Sequence, residues 1–122
     1  MTREEELIQR YFDAFNSHDI EGVMACYHDD PVLDAPDGKR CEGRAEVRRC
    51  YEASFAAFPD GRCQLRTYTG NDGHAVAESR FLGTRQRDGK VVEAIGKEVL
   101  EIAEGKIKEI RDYHRSVPAK AA

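Results

Sequence analysis

The run Gly105-Lys106-Ile107-Lys108-Glu109-Ile110-Arg111-Asp112-Tyr113-His114-Arg115 decides the fold of this chain. The turn signal Ala103-Glu104-Gly105-Lys106 opens it, and its alternation predicts a strand. On a strand, Ile110, Asp112 and His114 share one face, while Glu109, Arg111, Tyr113 and Arg115 share the other. A carboxylate and an imidazole beside an isoleucine do not suit a dry core. That face is therefore either exposed or the lining of a pocket.

Working backwards, the period of two persists. Val91 to Ile102 precedes the turn at Gly105, and Arg87-Asp88-Gly89-Lys90 is the turn before it. Ala75, Ala77, Ser79 and Phe81 alternate with charged Glu78 and Arg80, and Asn71-Asp72-Gly73 is a hairpin turn. Cys63, Leu65, Thr67 and Thr69 alternate with Gln64, Arg66 and Tyr68. Before Pro59-Asp60-Gly61 the period changes. A helix is expected from Arg44 to about Phe58, with Val47, Cys50, Tyr51, Phe55 and Phe58 on one face. Val32 to Ala35 allows a short strand, stopped by Pro36-Asp37-Gly38. At the start, Thr2 and Glu5 form a capping box for a helix from Arg3, with Leu7, Ile8, Tyr11, Phe12 and Phe15 as its apolar face. A second helix, begun by Ser17 or His18, carries Ile20, Val23, Met24 and Tyr27 as its stripe and ends at His28-Asp29-Asp30-Pro31.

Three helices followed by antiparallel strands make an α+β layout, with the helices on the concave face of a strongly curved, mostly antiparallel sheet. The small residues Ala77 and Ser79 on its inward face leave the conical interior partly unfilled, which is where a pocket is expected. At 122 residues the chain is one domain, taken as 1–116 with a short tail at 117–122. A hydrophobic share of 40% and a charged share of 34% fit a folded, soluble protein and exclude a disordered one. A net charge of −4, spread along the chain, supplies no basic face for nucleic acid. No apolar run suits a membrane span, and the acidic N-terminus is unlike a signal peptide, so a cytoplasmic location is expected. Cys26, Cys41, Cys50 and Cys63 form no Cys-x-x-Cys pair and read as free thiols without a structural metal.

The order αα-β-α-ββββ resembles the nuclear transport factor 2-like superfamily, and within it the SnoaL-like polyketide cyclase and ketosteroid isomerase-like branch, whose fold is a cone-like α+β barrel. Four segments carry the resemblance. The first is Gln9-Arg10-Tyr11-Phe12-Asp13-Ala14-Phe15-Asn16-Ser17-His18-Asp19-Ile20-Glu21-Gly22-Val23 with Tyr27-His28-Asp29-Asp30. The second is Glu42-Gly43-Arg44 leading to Phe55-Ala56-Ala57-Phe58-Pro59-Asp60. Phe81-Leu82-Gly83-Thr84 and Leu100-Glu101-Ile102-Ala103-Glu104-Gly105-Lys106-Ile107 complete the set.

The resemblance implies site residues. Tyr11 falls on the phenol that serves ketosteroid isomerases as an oxyanion donor, and Glu98 falls on or next to their late-strand acid. Their base position falls on Ala35, which cannot move a proton. Asp34 is expected to point the other way, and Asp37 lies just beyond in the turn. In SnoaL-like cyclases the acid/base is the aspartate of a terminal Gly-Lys-Ile…Trp-Asp pattern. Here Gly105-Lys106-Ile107 and Arg111-Asp112 keep that frame, which makes Asp112 the candidate acid/base, with His114 beside it. An aspartate in an apolar pocket has its charged form disfavoured, which raises its pKa towards the useful range.

Each candidate has a plainer alternative. Tyr11 suits a helix core, Glu98 faces solvent after a one-residue slip, Asp112 can pair with Arg111 or Arg80, and His114 suits an edge. Two function classes stay open. One is acid/base isomerisation or cyclisation, without cofactor or metal, of a small apolar carbonyl compound of polyketide or steroid-like type. The other is a non-catalytic binding or assembly domain. Epoxide hydrolysis on this fold wants an arginine between two aspartates, and only Asp112 is evident. The outward residues Lys97, Val99, Glu101, Glu109, Arg111 and Tyr113 suit a subunit interface, and the resemblance also implies dimers, so a homodimer through the sheet is expected.

Overall fold

The computed structural model describes residues 1–118, so the expected tail falls outside the described residues from 119 onward. Helix α1, Arg3–Asn16, starts where the capping box predicts. The Thr2 hydroxyl accepts from the Glu5 amide at 3.1 Å, and the Glu5 carboxylate accepts from the Thr2 amide at 3.0 Å. Helix α2, Ile20–Ala25, is capped by Asp19 rather than by Ser17 or His18. His18 instead takes a left-handed backbone (φ 51°), stacks on Phe55 and bonds the Gly61 carbonyl.

Tyr27 is not helical. It opens strand β1, Tyr27–Asp34, which is longer than the expected Val32–Ala35. Long-range partners replace the helix turns that α2 forgoes. The Arg44 guanidinium donates to the carbonyls of Met24, Tyr27 and His28, and the Ile107 amide donates to Cys26. Pro31 is tolerated because it falls where the β1 register shifts. A short strand that the sequence pattern did not reveal, β2, Arg40–Glu42, forms a hairpin with β1 and leads into α3, Gly43–Ala57. Strands β3 (Arg62–Asn71), β4 (His74–Thr84), β5 (Val91–Ala103) and β6 (Lys106–Ser116) follow.

The sheet order is β2-β1-β6-β5-β4-β3, antiparallel except where β1 runs parallel to β6. It is curved and open, with β2 and β3 at its edges, so the cone does not close into a barrel. Two bulges correct the simple alternation. Arg66 is the extra residue on β3, so Tyr68 and Gly70 turn inward, not Thr67 and Thr69. Lys108 is the extra residue on β6, so Ile107 and Ile110 are both buried although three positions apart. The core lies between the helices and the inner face, from Leu7, Ile8 and Phe12 to Val23, Val47, Leu100, Ile107 and Ile110.

Candidate active site

The inner face of β3–β6 carries a row of polar side chains within this apolar interior. Ala77 on β4 pairs with Glu98 on β5, which pairs with Asp112 on β6. One step along, Ser79 pairs with Gly96, which pairs with His114. Gly96 has no side chain, so its neighbours reach across it and bond at 2.9 Å, Ser79 Oγ to His114 Nε2. Nothing larger fits, since a Cβ on Gly96 would lie 1.9 Å from the Tyr113 carbonyl oxygen. Ser79 Oγ also lies 2.9 and 3.0 Å from the two carboxyl oxygens of Glu98. On its other side, His114 Nδ1 bonds Asp112 Oδ1. Asp112, His114, Ser79 and Glu98 thus form one continuous chain across three strands.

Burial, and then the nearby Asp112 charge, push the Glu98 carboxyl up to about 8. Burial disfavours charge on His114, but the bond to Asp112, the Cys63 thiol and the charge of Glu98 outweigh it and raise the imidazole to about 10. At neutral pH the row therefore holds a His114 cation, bonded to Asp112, and a neutral Glu98. A protonated His114 donates from both nitrogens, to Asp112 and to Ser79, and leaves the serine hydrogen for Glu98. Cys63, Glu98 and His114 place donor atoms within 4.8 Å of one another, but the Ser79 hydroxyl bridges Glu98 to His114. The cluster as it stands is a hydrogen-bonded one. Burial raises the Cys63 thiol pKa, so it is a poor nucleophile here.

Phenols from α1, α3 and the start of β1 face this row. Tyr11 and Tyr27 each bring their hydroxyl to within 2.5 Å of Tyr51, and burial pushes all three well above the ordinary tyrosine range. Each hydroxyl has one proton. A one-way chain from Tyr27 to Tyr51 to Tyr11 satisfies the first two and leaves the Tyr11 hydrogen for a ligand.

Both groups open onto one cavity of about 1090 Å³. Phe12, Phe15, Leu33, Phe58, Phe81 and Val92 make its walls largely apolar, as expected of a small-molecule site. All four residues singled out from the sequence, Tyr11, Glu98, Asp112 and His114, line it. The alternative pairings of Asp112 do not occur, because Arg111 bonds Glu101 and Glu109 at 2.8 Å and Arg80 bonds Glu93. Ala35 lines the cavity and Asp34 turns outward to Arg40, leaving no carboxylate at that position. Asp37 is at the mouth, exposed and bonded to the Lys39 amide. Sequence reasoning did not single out Tyr51 or Ser79 for the site. Tyr51 was legible only as part of an apolar helix face, and Ser79 only as a small inward residue.

An open, curved α+β cone with a phenol and paired acids at its inner wall defines a class, the nuclear transport factor 2-like fold. Within that class, residues 8–110 match the SnoaL-like domain, and the chain belongs to that family. It is similar to a candidate polyketide cyclase from Xanthomonas campestris pv. campestris, with 26% identity, TM-score 0.79, and coverage of 93% of this chain and 90% of that one. A candidate SnoaL-like polyketide cyclase from Jannaschia sp. CCS1 shares the fold at 16% identity, TM-score 0.83, and coverage of 92% and 85%. An epoxide hydrolase/cyclase-like enzyme with a role in pyran ring formation in polyether salinomycin does so at 19% identity, TM-score 0.81, and coverage of 91% and 89%. No curated protein matches the sequence.

Proposed function

We propose that this chain isomerises or cyclises a small, mostly apolar carbonyl compound of polyketide or steroid-like type by acid/base chemistry of its own side chains. The observation that carries this reading is the Asp112–His114–Ser79–Glu98 chain on the wall of a cavity that Tyr11 also lines. The roles follow from the protonation states. Asp112, oriented by its bond to His114, takes a proton from carbon next to the substrate carbonyl. Its Oδ2 has no hydrogen-bond partner among the described residues. Negative charge then grows on the carbonyl oxygen. A neutral Glu98 and the Tyr11 hydroxyl donate to it from the wall of a largely apolar cavity. The cyclase and cyclase-like names of the structural neighbours support the same chemistry.

The test is binding of a phenol or naphthol whose anion imitates the enolate. Such ligands should raise the melting temperature, and Asp112→Asn should tighten their binding by relieving repulsion. A wild-type protein whose melting temperature no such ligand shifts would count against the pocket reading. Ligand binding with no turnover of any carbonyl compound would favour the alternative, a binding or assembly domain.

Two further points belong to this reading. The outer face of β5 and β6 exposes Tyr113 at 56% beside Val99 and Arg111, which supports a homodimer through the sheet. A monomer by light scattering at micromolar concentration would refute it. The four free cysteines support a reducing, cytoplasmic setting, and among the described residues no helix is long and apolar enough to cross a membrane.

A further inference from the structure

The cavity mouth is unlike its interior, because charged residues from two elements ring it. Asp37 and Lys39 come from the β1–β2 turn, and Glu46, Arg49 and Glu52 from the outer side of α3. The acids are all engaged. Asp37 accepts from the Lys39 amide at 2.9 Å, Glu46 folds back to the Glu42 amide at 3.0 Å, and Glu52 pairs with Arg48 at 3.5 Å. The cations are not. Among the described residues, neither the Lys39 ammonium nor the Arg49 guanidinium makes an ion pair or a side-chain hydrogen bond, and both are exposed.

Arg49 is left over because its acidic neighbours are engaged elsewhere. Glu46 at i−3 bonds the Glu42 amide and Glu52 at i+3 pairs with Arg48, while its i+4 and i−4 neighbours are Ala53 and Ala45. Lys39 follows the turn at Gly38 (φ 88°) and lines the same cavity mouth. Two cations with free hydrogen-bonding capacity therefore line the mouth of one apolar cavity, among carboxylates that are already engaged. Its proton-transfer groups lie on the sheet wall.

We propose that Lys39 and Arg49 form a carboxylate subsite, so the substrate is an elongated apolar carbonyl compound with a carboxylate at the end away from the reacting carbonyl. This rests on the acid/base reading above and adds the substrate's polarity and orientation. The arginine fork takes one carboxylate oxygen pair and the lysine adds a point charge. The apolar rings fill the space between, and the carbonyl meets Tyr11 and Glu98.

The test compares 6-hydroxy-2-naphthoic acid with its methyl ester, which differ only in the charge at the end opposite the hydroxyl. The wild-type chain should bind the acid about tenfold more tightly than the ester. Arg49→Gln with Lys39→Gln should bring the two within about twofold of each other while leaving ester affinity unchanged. Raised salt should weaken only the acid. Equal affinity of the wild type for both, or a preference that survives the double substitution, overturns the subsite and leaves the acid/base reading standing. If neither ligand binds, the pocket reading falls and this inference falls with it.

Discussion

Glu98 and Glu101 stand three residues apart on β5 and have opposite fates. Glu98 faces the cavity at 4% exposure, and among the described residues its only side-chain hydrogen-bond partner is the Ser79 hydroxyl, which cannot neutralise it. Burial raises its pKa to about 8. Glu101 faces outward, 2.8 Å from Arg111 and 2.6 Å from His74, and the bond to Arg111 holds its carboxyl below the ordinary glutamate value. The same contrast repeats on β6, where Arg111 joins the outer ladder and its neighbour Asp112 turns in to His114. One strand pair thus supports two electrostatic regimes. Outside, partners and water make each charge unremarkable in cost and of small value. Inside, the scarcity of partners turns an ordinary glutamate into an acid that titrates near working pH.

That contrast sets the order of expected effects. Asp112→Asn should lower turnover about 10³-fold with the fold retained, whereas Glu101→Gln should change it less than about twofold. Equal losses would erase the distinction between the two faces. Glu98 comes next. Between about pH 4.5 and 8 the folded chain keeps a proton on Glu98 that the unfolded chain has released, so stability falls as pH rises through that window. Denaturant melts should show Glu98→Gln gaining on the order of a few kcal/mol over wild type at pH 9 and little at pH 4. The alkaline fall in kcat/KM near pH 8 should also vanish in that variant, because an amide cannot lose the proton it donates.

Gly96→Ala should cost about 2–4 kcal/mol of stability in denaturant melts, since its Cβ meets the β6 backbone. Tyr51→Phe removes both phenol bonds and should weaken naphtholate binding about tenfold, by leaving Tyr11 without its donor. Arg111→Gln is the smallest change, less than about 1 kcal/mol, because its ion pairs lie on the partly exposed outer face. A loss of several kcal/mol there would show that the outer ladder is not the weak partner in the comparison.

Local chemistry made much of this legible in the sequence. The capping box at Thr2, the hairpin turns and the alternation of Ala75, Ala77, Ser79 and Phe81 each depend on near neighbours, and each matches the structure. What alternation could not reveal was its own interruption. A bulge leaves no local signature in Arg66 or Lys108, so the faces of Thr67 and Tyr68 were exchanged. Tyr27 carried helical spacing, and its strand depends on Arg44 and Ile107, far along the chain. The candidate site was legible where face and resemblance agreed, at Tyr11, Glu98, Asp112 and His114. Ser79 and Tyr51 depend on neighbours brought in by tertiary packing, such as the empty space over Gly96, and no pattern of residue types announces those.

The parallel pairing of β1 with β6 also governs the order of assembly. Residues 106–116 pair with β5 across the tight turn at Glu104–Gly105, but they meet residues 27–34 only after a loop spanning most of the chain has closed. Loop closure of that span is entropically costly and slow. The acid row on β4–β6 therefore forms by local pairing, and β1 with the helices that carry Tyr11 and Tyr51 joins it later. On refolding, recovery of ligand binding will track the joining of residues 27–34 to β6 rather than formation of the β3–β6 meander.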